Sequence, residues 1–382
     1  MEEKNPFLVV ETDGINDFYK DVLDSIIDRG YEISPRGLPT KEIRPVMVII
    51  NKPRERFLTC PGRLIHPFFQ VMESIWILGG RGDVNFIEYY LSNMKTYADG
   101  EREFNAPYGT RMRKWNDHRS IQFCTGRVVD QFADCYKALE RDLSTRQAVM
   151  VFWNPNFDNY RFETNDRPCN ISFQFLVRNG KLDLTIFNRS NDISWGLANA
   201  NVVQFSVILE AMAMLLDIPV GSQIHMINSL HAYNFQGETT KRVLDAKYDF
   251  NVYDYVEPSP FFLKIRTIEE LNYELEIFFD AEEAIRNGNV NILLPDDSVT
   301  FNYLKEALVL AKSFYYYKKE DYIKSAKCLL DLKADDIFVT TMEFIARKVG
   351  SFGGRYYIFK DFISERFSDE SSKAILKYIE DH

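Results

Sequence analysis

Asp166-Arg167-Pro168-Cys169-Asn170 runs into the apolar stretch Ile171-Ser-Phe-Gln-Phe-Leu-Val177, and beyond Asn179-Gly180 the chain continues to Asn188-Arg189-Ser190-Asn191-Asp192. Asn-Gly between two apolar runs is the strongest short-range hairpin signal, because a type I′ turn needs positive φ at both central residues. Strands over 171–178 and 181–187 therefore pair, which brings Cys169 and Arg189 to the two open ends of one hairpin. A thiol at the mouth of a strand with a guanidinium beside it supplies a nucleophile and its charge partner.

Outward from the hairpin, Ala148-Val-Met-Val-Phe-Trp153 reads as a short strand closed by the turn Asn154-Pro155-Asn156. Residues 62 to 80 read as a helix that stops at Gly79-Gly80, with Glu73 the one acid in its apolar sequence. Phe205, Leu209, Met212 and Leu216 fall at helical spacing over 202–216, before the turn Asp217-Ile-Pro-Val-Gly221. After residue 265 helical patterns dominate, such as Ile268 to Leu275 and Tyr303 to Lys318, without obvious site chemistry. The expected division is a catalytic domain over 1–265 and a mainly helical region over 266–382.

With 382 residues, 46% of them hydrophobic, the chain can fill a substantial core. A net charge of -10 disfavours broad binding to nucleic acid, so an anionic ligand needs a local cluster of arginines. The five cysteines, Cys60, Cys124, Cys135, Cys169 and Cys328, form no C-x-x-C pair, which points to neither disulfides nor a metal site. Only Cys169 has a motif around it, and the other four read as structural thiols. Met1 to Pro6 carry no apolar signal region and no run of eighteen apolar residues occurs, so a cytoplasmic protein without a membrane or nucleic-acid partner is expected.

The order Pro168-Cys169, Phe173-Gln174-Phe175, a hairpin, Arg189-Ser190-x-Asp192-x-x-x-Gly196 and then Asn201 resembles the thymidylate synthase and pyrimidine nucleotide hydroxymethylase superfamily, whose members act on dUMP, dCMP or CMP. The likeness covers much of residues 30 to 265. Arg36-Gly37 resembles the N-terminal phosphate-binding loop, and Glu73-Ser-Ile-Trp76 the helix carrying the catalytic glutamate. Pro107-Tyr108-Gly109 resembles the tyrosine-glycine loop before the central sheet. Ser144-Thr-Arg146-Gln147 resembles the segment that donates phosphate-binding arginines across a dimer, and His231-Ala-Tyr233 the pair that contacts the sugar. The resemblance implies an α+β, three-layer fold whose large mixed β-sheet packs back to back with that of a second subunit, followed by a C-terminal helical extension. In that homodimer Arg146 serves the partner's site.

It also implies roles. Cys169, Glu73 and Tyr108 would be catalytic. Arg36, Arg146, Gln147, Arg189, Ser190, Asn201, His231 and Tyr233 would bind a pyrimidine nucleoside monophosphate, and Asp192 and Trp76 would bind 5,10-methylenetetrahydrofolate, with no metal. Carbon 5 of a pyrimidine is a poor nucleophile until a thiolate adds at carbon 6, the part assigned to Cys169. The Asn201 amide matches O4 and N3–H of uracil better than cytosine, and Asn199 is the other choice for this role. Glu73 would move protons through ordered water. Hydride delivered to the one-carbon unit gives a methyl product, and water gives a hydroxymethyl product.

Several departures from the synthase pattern favour water. Asn170 stands where synthases usually have histidine, and Met94 to Asp99 lacks the tryptophan that shields the folate. The chain ends Leu376-Lys-Tyr-Ile-Glu-Asp-His382 and not in the short apolar tail that closes the synthase site. Gln147 replaces one of two consecutive arginines, and the Gly196 to Asn201 spacing is one residue longer than usual. A dUMP 5-hydroxymethylase is the expected activity. Thymidylate synthase or dCMP/CMP hydroxymethylase are the near alternatives. A catalytically dead nucleotide-binding relative is the distant one, against which the joint presence of Cys169, Glu73 and Arg189 argues.

Overall fold

A computed structural model of the chain describes residues 7–115, 128–160, 163–259, 265–292, 302–350 and 357–380. Cys124, Met1 to Pro6 and His382 lie outside the described residues. Asn179 and Gly180 take φ of 51° and 73°, the left-handed pair that a type I′ turn requires. The turn joins β6 (Asn170–Arg178) to β7 (Lys181–Asn188), which pair antiparallel with Phe173 opposite Ile186.

The hairpin sits inside a six-stranded mixed sheet that also contains β1 (Leu8–Thr12), β4 (Val46–Ile50), β5 (Val149–Val151) and β9 (Val220–Ile227). Its order is β1-β4-β9-β7-β6-β5, with β1/β4 and β7/β9 parallel and the other pairs antiparallel. A second sheet takes β2 (Tyr31–Ile33), β3 (Thr40–Ile43), β10 (Leu230–Tyr233) and β8 (Asn191–Asp192) in the order β2-β3-β10-β8. The architecture is α+β, as the resemblance implies.

Side-chain alternation gives the large sheet two unlike faces. On one, Phe173 and Ile186 are buried beneath the Val202–Leu215 helix, where Phe205 meets Phe173 at 4.6 Å between ring centroids. On the other, a row in register runs Val9, Met47, Met226, Phe187, Ser172 and Val151, beside a second row of Glu11, Ile49, Ile224, Thr185, Gln174 and Val149. Within these rows Phe187, Met226, Val149 and Val151 are 37–43% exposed. These four exposed apolar side chains lie among the polar Ser172, Thr185 and Gln174 of the same rows.

The Pro67–Leu78 helix lies behind the Val202–Leu215 helix, and every one of its residues is buried. It begins five residues later than its apolar pattern suggests. Pro67 fixes the first helical position, and His66 caps the end by accepting from the Phe69 amide on Nδ1 at 3.1 Å. From Ile268 onward the described chain is helical except for short connections. Helices Asn302–Lys318 and Asp335–Gly350 pack on the Pro67–Leu78 helix, with Phe314 4.9 Å from Phe68 and Phe344 4.4 Å from His66. Apolar side chains from both halves of the chain join one core.

Sequence periodicity places a helix start at Val202, yet helical backbone begins at Ile193. Residues Ile193–Asn201 form a π-helix, capped by Asp192 and continuous with Val202–Leu215. Together Ile193–Leu215 is long and apolar enough to cross a membrane, but 94% of its most apolar window is buried inside the fold, which is how the central helix of a folded core behaves.

Candidate active site

The site forms where the open end of the β6/β7 hairpin meets the edge of the second sheet. Cys169 immediately precedes β6 and Arg189 immediately follows β7, and the Arg189 amide donates to the Cys169 carbonyl at 2.9 Å. A bulge at Ile171, whose carbonyl accepts from both Phe152 and Trp153, shifts the register between Asn170 and Ser172. Bulges of this kind re-aim the residues beside them, here the half-buried Cys169.

Arg189 Nη2 lies 3.7 Å and Ser190 Oγ 3.8 Å from Cys169 Sγ, so a guanidinium and a hydroxyl both face the thiol. Arg189 Nε donates to the Pro168 carbonyl at 3.0 Å and its guanidinium lies over the Trp153 ring, which holds the cation in place. Tyr108 closes the site from a short helix, Tyr108–Arg113. Its hydroxyl accepts from the amides of Cys169 at 2.9 Å and Asn170 at 3.2 Å, and burial pushes its ionisation upward. Asn170 turns inward, where its Oδ1 accepts from Asn188 Nδ2.

The second sheet supplies the next wall. β10 pairs with β8 so that His231 lies opposite Asp192, and His231 meets Tyr233 edge to face at 5.0 Å. Burial lowers the pKa of His231 against the opposing pull of Asp192, which keeps the imidazole towards its neutral form. Arg36, at φ 55° in an exposed turn, hydrogen-bonds the Tyr233 hydroxyl, while burial raises the tyrosine's ionisation. Asp192 spends Oδ1 on capping the π-helix through the amides of Ser194 and Trp195, and Oδ2 accepts from Gln236 at 3.1 Å.

Deeper in, four polar side chains connect without a break. Asn191 Nδ2 donates to Asn201 Oδ1 at 2.9 Å, Asn201 Nδ2 to Gln204 Oε1 at 3.1 Å, and Gln204 Nε2 to Glu73 Oε2 at 2.5 Å. Burial pushes Glu73 up to about 8, and the Gln204 amide pulls it down. The carboxyl thus changes charge near neutrality, as a proton carrier must. The π-helix absorbs one extra residue within its turn, and so leaves Asn201 on the side that faces Asn191 and Gln204. Asn199 turns to the Pro67–Leu78 helix, where Gln70 donates to its Oδ1 at 3.2 Å. Gly196 is required here because a Cβ on it would come within 2.0 Å of Asn191 Oδ1.

Three sequence-derived residues stand apart from this cluster. Trp76 is buried, its indole donates to the Asp83 carbonyl at 3.2 Å, and its ring meets Phe104. Arg146 and Gln147 are exposed on the approach to β5, at the margin of the open sheet face. Conversely, Asn191, Gln204 and Gln236 escaped the sequence reading. A glutamine three residues after Asn201, one of three polar residues with Ser206 and Glu210 on a largely apolar helix, was the available signal for Gln204.

Comparison with known proteins identifies the family. The family model described as thymidylate synthase matches residues 17–270. A Bacillus phage SP01 protein named deoxyuridylate hydroxymethyltransferase is 38% identical over 382 residues, covering 94% of this chain and 96% of its own length. A Pseudomonas phage M6 protein of the same name is 34% identical over 190 residues, covering 50% of this chain and 51% of its own. A cysteine held between an arginine and a serine at a hairpin mouth, in a chain matched over most of its length, places this protein in the thymidylate synthase family.

Proposed function

We propose that the chain is a folate-dependent deoxyuridylate 5-hydroxymethylase. One observation carries the choice of product and substrate: the near full-length likeness to a protein named deoxyuridylate hydroxymethyltransferase. In this reading the Cys169 thiolate adds to carbon 6 of the uracil ring, with Arg189 and Ser190 favouring the anion and Arg189 and Arg36 holding the phosphate. His231 and Tyr233 line the sugar, and the Asn201 amide binds O4 and N3–H. Glu73 moves protons at carbon 5 and at the attacking water, and Tyr108 fixes the backbone that carries the thiol. Asn170, bonded inward to Asn188, brings no imidazole to the ring, which is consistent with a site that admits water.

Methylenetetrahydrofolate, when bound, supplies the one-carbon unit. The residues fit such a cosubstrate: Asp192, with three bonds made, keeps acceptor capacity for a pterin N–H. Trp76, turned into the core, acts by shaping the helix that carries Glu73. A back-to-back homodimer is supported by the exposed apolar Val149, Val151, Phe187 and Met226 on the open sheet face, and in it Arg146 at their margin would serve the neighbouring subunit.

The test is to offer dUMP, dCMP, UMP and CMP with methylenetetrahydrofolate and to weigh the products. The expected outcome is 5-hydroxymethyl-dUMP with no rise in dihydrofolate absorbance. Formation of dTMP matched by dihydrofolate would replace the reading with a methylating synthase.

A further inference from the structure

Gln204 joins the base-reading end of the site to its proton carrier, and the join has a direction. An amide oxygen offers two lone pairs and an amide nitrogen two hydrogens. Asn201 uses one lone pair on Asn191 and one hydrogen on Gln204, which leaves it one acceptor and one donor for a ligand. Uracil presents O4 as acceptor and N3–H as donor. Cytosine presents N4–H as donor and N3 as acceptor, the same pattern reversed. An Asn201 amide free to flip would serve either base.

What prevents the flip lies one step further along the Val202–Leu215 helix. Gln204 directs Nε2 to Glu73 Oε2 at 2.5 Å, and that oxygen accepts both in the ionised carboxylate and when the proton sits on the other carboxyl oxygen. Its Oε1 must then face Asn201 and take a hydrogen from Nδ2. Glu73 is buried on the Pro67–Leu78 helix, and burial and the Gln204 amide are the two influences on its ionisation. We propose that Gln204 is a specificity-determining positioning residue, which locks the Asn201 amide in the polarity that accepts uracil and refuses cytosine by bridging it to Glu73. The inference rests on the hydroxymethylase reading and on Asn201 as base reader.

The test uses the full chain and follows release of the carbon 5 hydrogen from dUMP and from dCMP between pH 6 and 9, with thermal unfolding as a check on folding. Gln204→Met keeps the volume and removes both hydrogen bonds. It is expected to lower the dUMP to dCMP ratio of kcat/KM by about tenfold or more, since the penalty on the wrong base is lost. The Glu73 limb of the pH profile should move upward by about one unit, because the ionised form has lost its donor. Gln204→Glu keeps an acceptor for Asn201 and, while protonated, a donor to Glu73. At pH 6 it should hold the ratio to within about threefold of the parent, and the ratio should fall as the pH rises.

A purely structural role would slow both substrates alike, leaving the ratio and the limb where they were, and that result in a folded Gln204→Met overturns the proposal. Should Gln204→Met not fold, Gln204→Glu decides: a ratio that falls with pH supports the bridge, and one flat across the range removes it. A parent enzyme that releases hydrogen from neither nucleotide overturns the functional reading and this inference with it. A working parent with an insensitive Gln204→Met overturns this inference alone.

Discussion

Two buried glutamates, Glu73 on the Pro67–Leu78 helix and Glu210 on the Val202–Leu215 helix, meet opposite fates. Gln204 and Glu210 are six residues apart on Val202–Leu215, about 9 Å along its axis. Glu210 receives Arg56 Nη2 at 2.6 Å and Arg54 Nε at 3.0 Å, and Arg56, itself fully buried, also donates to Ser206 Oγ at 3.0 Å. Glu73, reached through Gln204, has an amide where Glu210 has two guanidiniums. Burial raises both carboxyls, but only Glu210 has cations pulling it back. A neutralised pair holds the Arg54–Arg56 loop to the helix core; a carboxyl left without a cation can exchange its proton. The comparison separates a carboxyl neutralised in place from one free to change its charge near neutrality.

Glu73→Gln should break one side of the comparison most sharply. Turnover should fall by about 10²–10⁴-fold, the usual contribution of a positioned proton carrier, with the fold intact by circular dichroism. If turnover stays within threefold of the parent, Glu73 is not the proton carrier. Arg56→Met attacks the other side. It leaves Glu210 with a single, more exposed arginine and should cost about 3–5 kcal/mol in urea unfolding, while kcat per folded molecule changes less than twofold. A stability loss below 1 kcal/mol would show that Arg54 alone suffices.

The smallest effect is the dependence of stability on pH. In the fold Glu73 keeps its proton up to about 8, against an ordinary value of 4.5, so between these values the folded state binds more protons than the unfolded one. Stability contributed by this group therefore falls as the pH rises across that window. Between pH 6 and pH 9 the parent should lose about 2–3 kcal/mol that Glu73→Gln retains. Parallel melting curves for the two proteins over that range would count against a buried, unneutralised carboxyl.

The parts of this site that lie near each other in sequence were legible in it. Asn179-Gly180 fixes a turn, the turn fixes the register, and the register brings Cys169 to Arg189. The link from Asn201 to Glu73 was not legible, because it depends on how two helices 131 residues apart in sequence pack together. Nothing local reveals that a glutamine on one will meet a glutamate on the other. The helix start at Ile193 was missed for a different reason: a π-helix does not repeat at 3.6 residues, so apolar spacing loses its phase there. The late start at Pro67 reflects capping by His66, an uncommon cap whose ring nitrogen does what an aspartate usually does.

The widened turn over Ile193–Asn201 also bears on how such a site can change through evolution. An α-helix that gains a residue normally rotates everything beyond the insertion by about 100°, which would scramble the packing of Val202–Leu215. A π-turn confines the extra residue to one loop of backbone and leaves the rest of the helix in phase. An insertion or deletion in this segment can then exchange which of Asn199 and Asn201 faces Asn191 and Gln204, while the core beneath it stays as it was. If Asn201 reads the base as proposed, base preference could change by this route without point substitution of the residues that hold the fold.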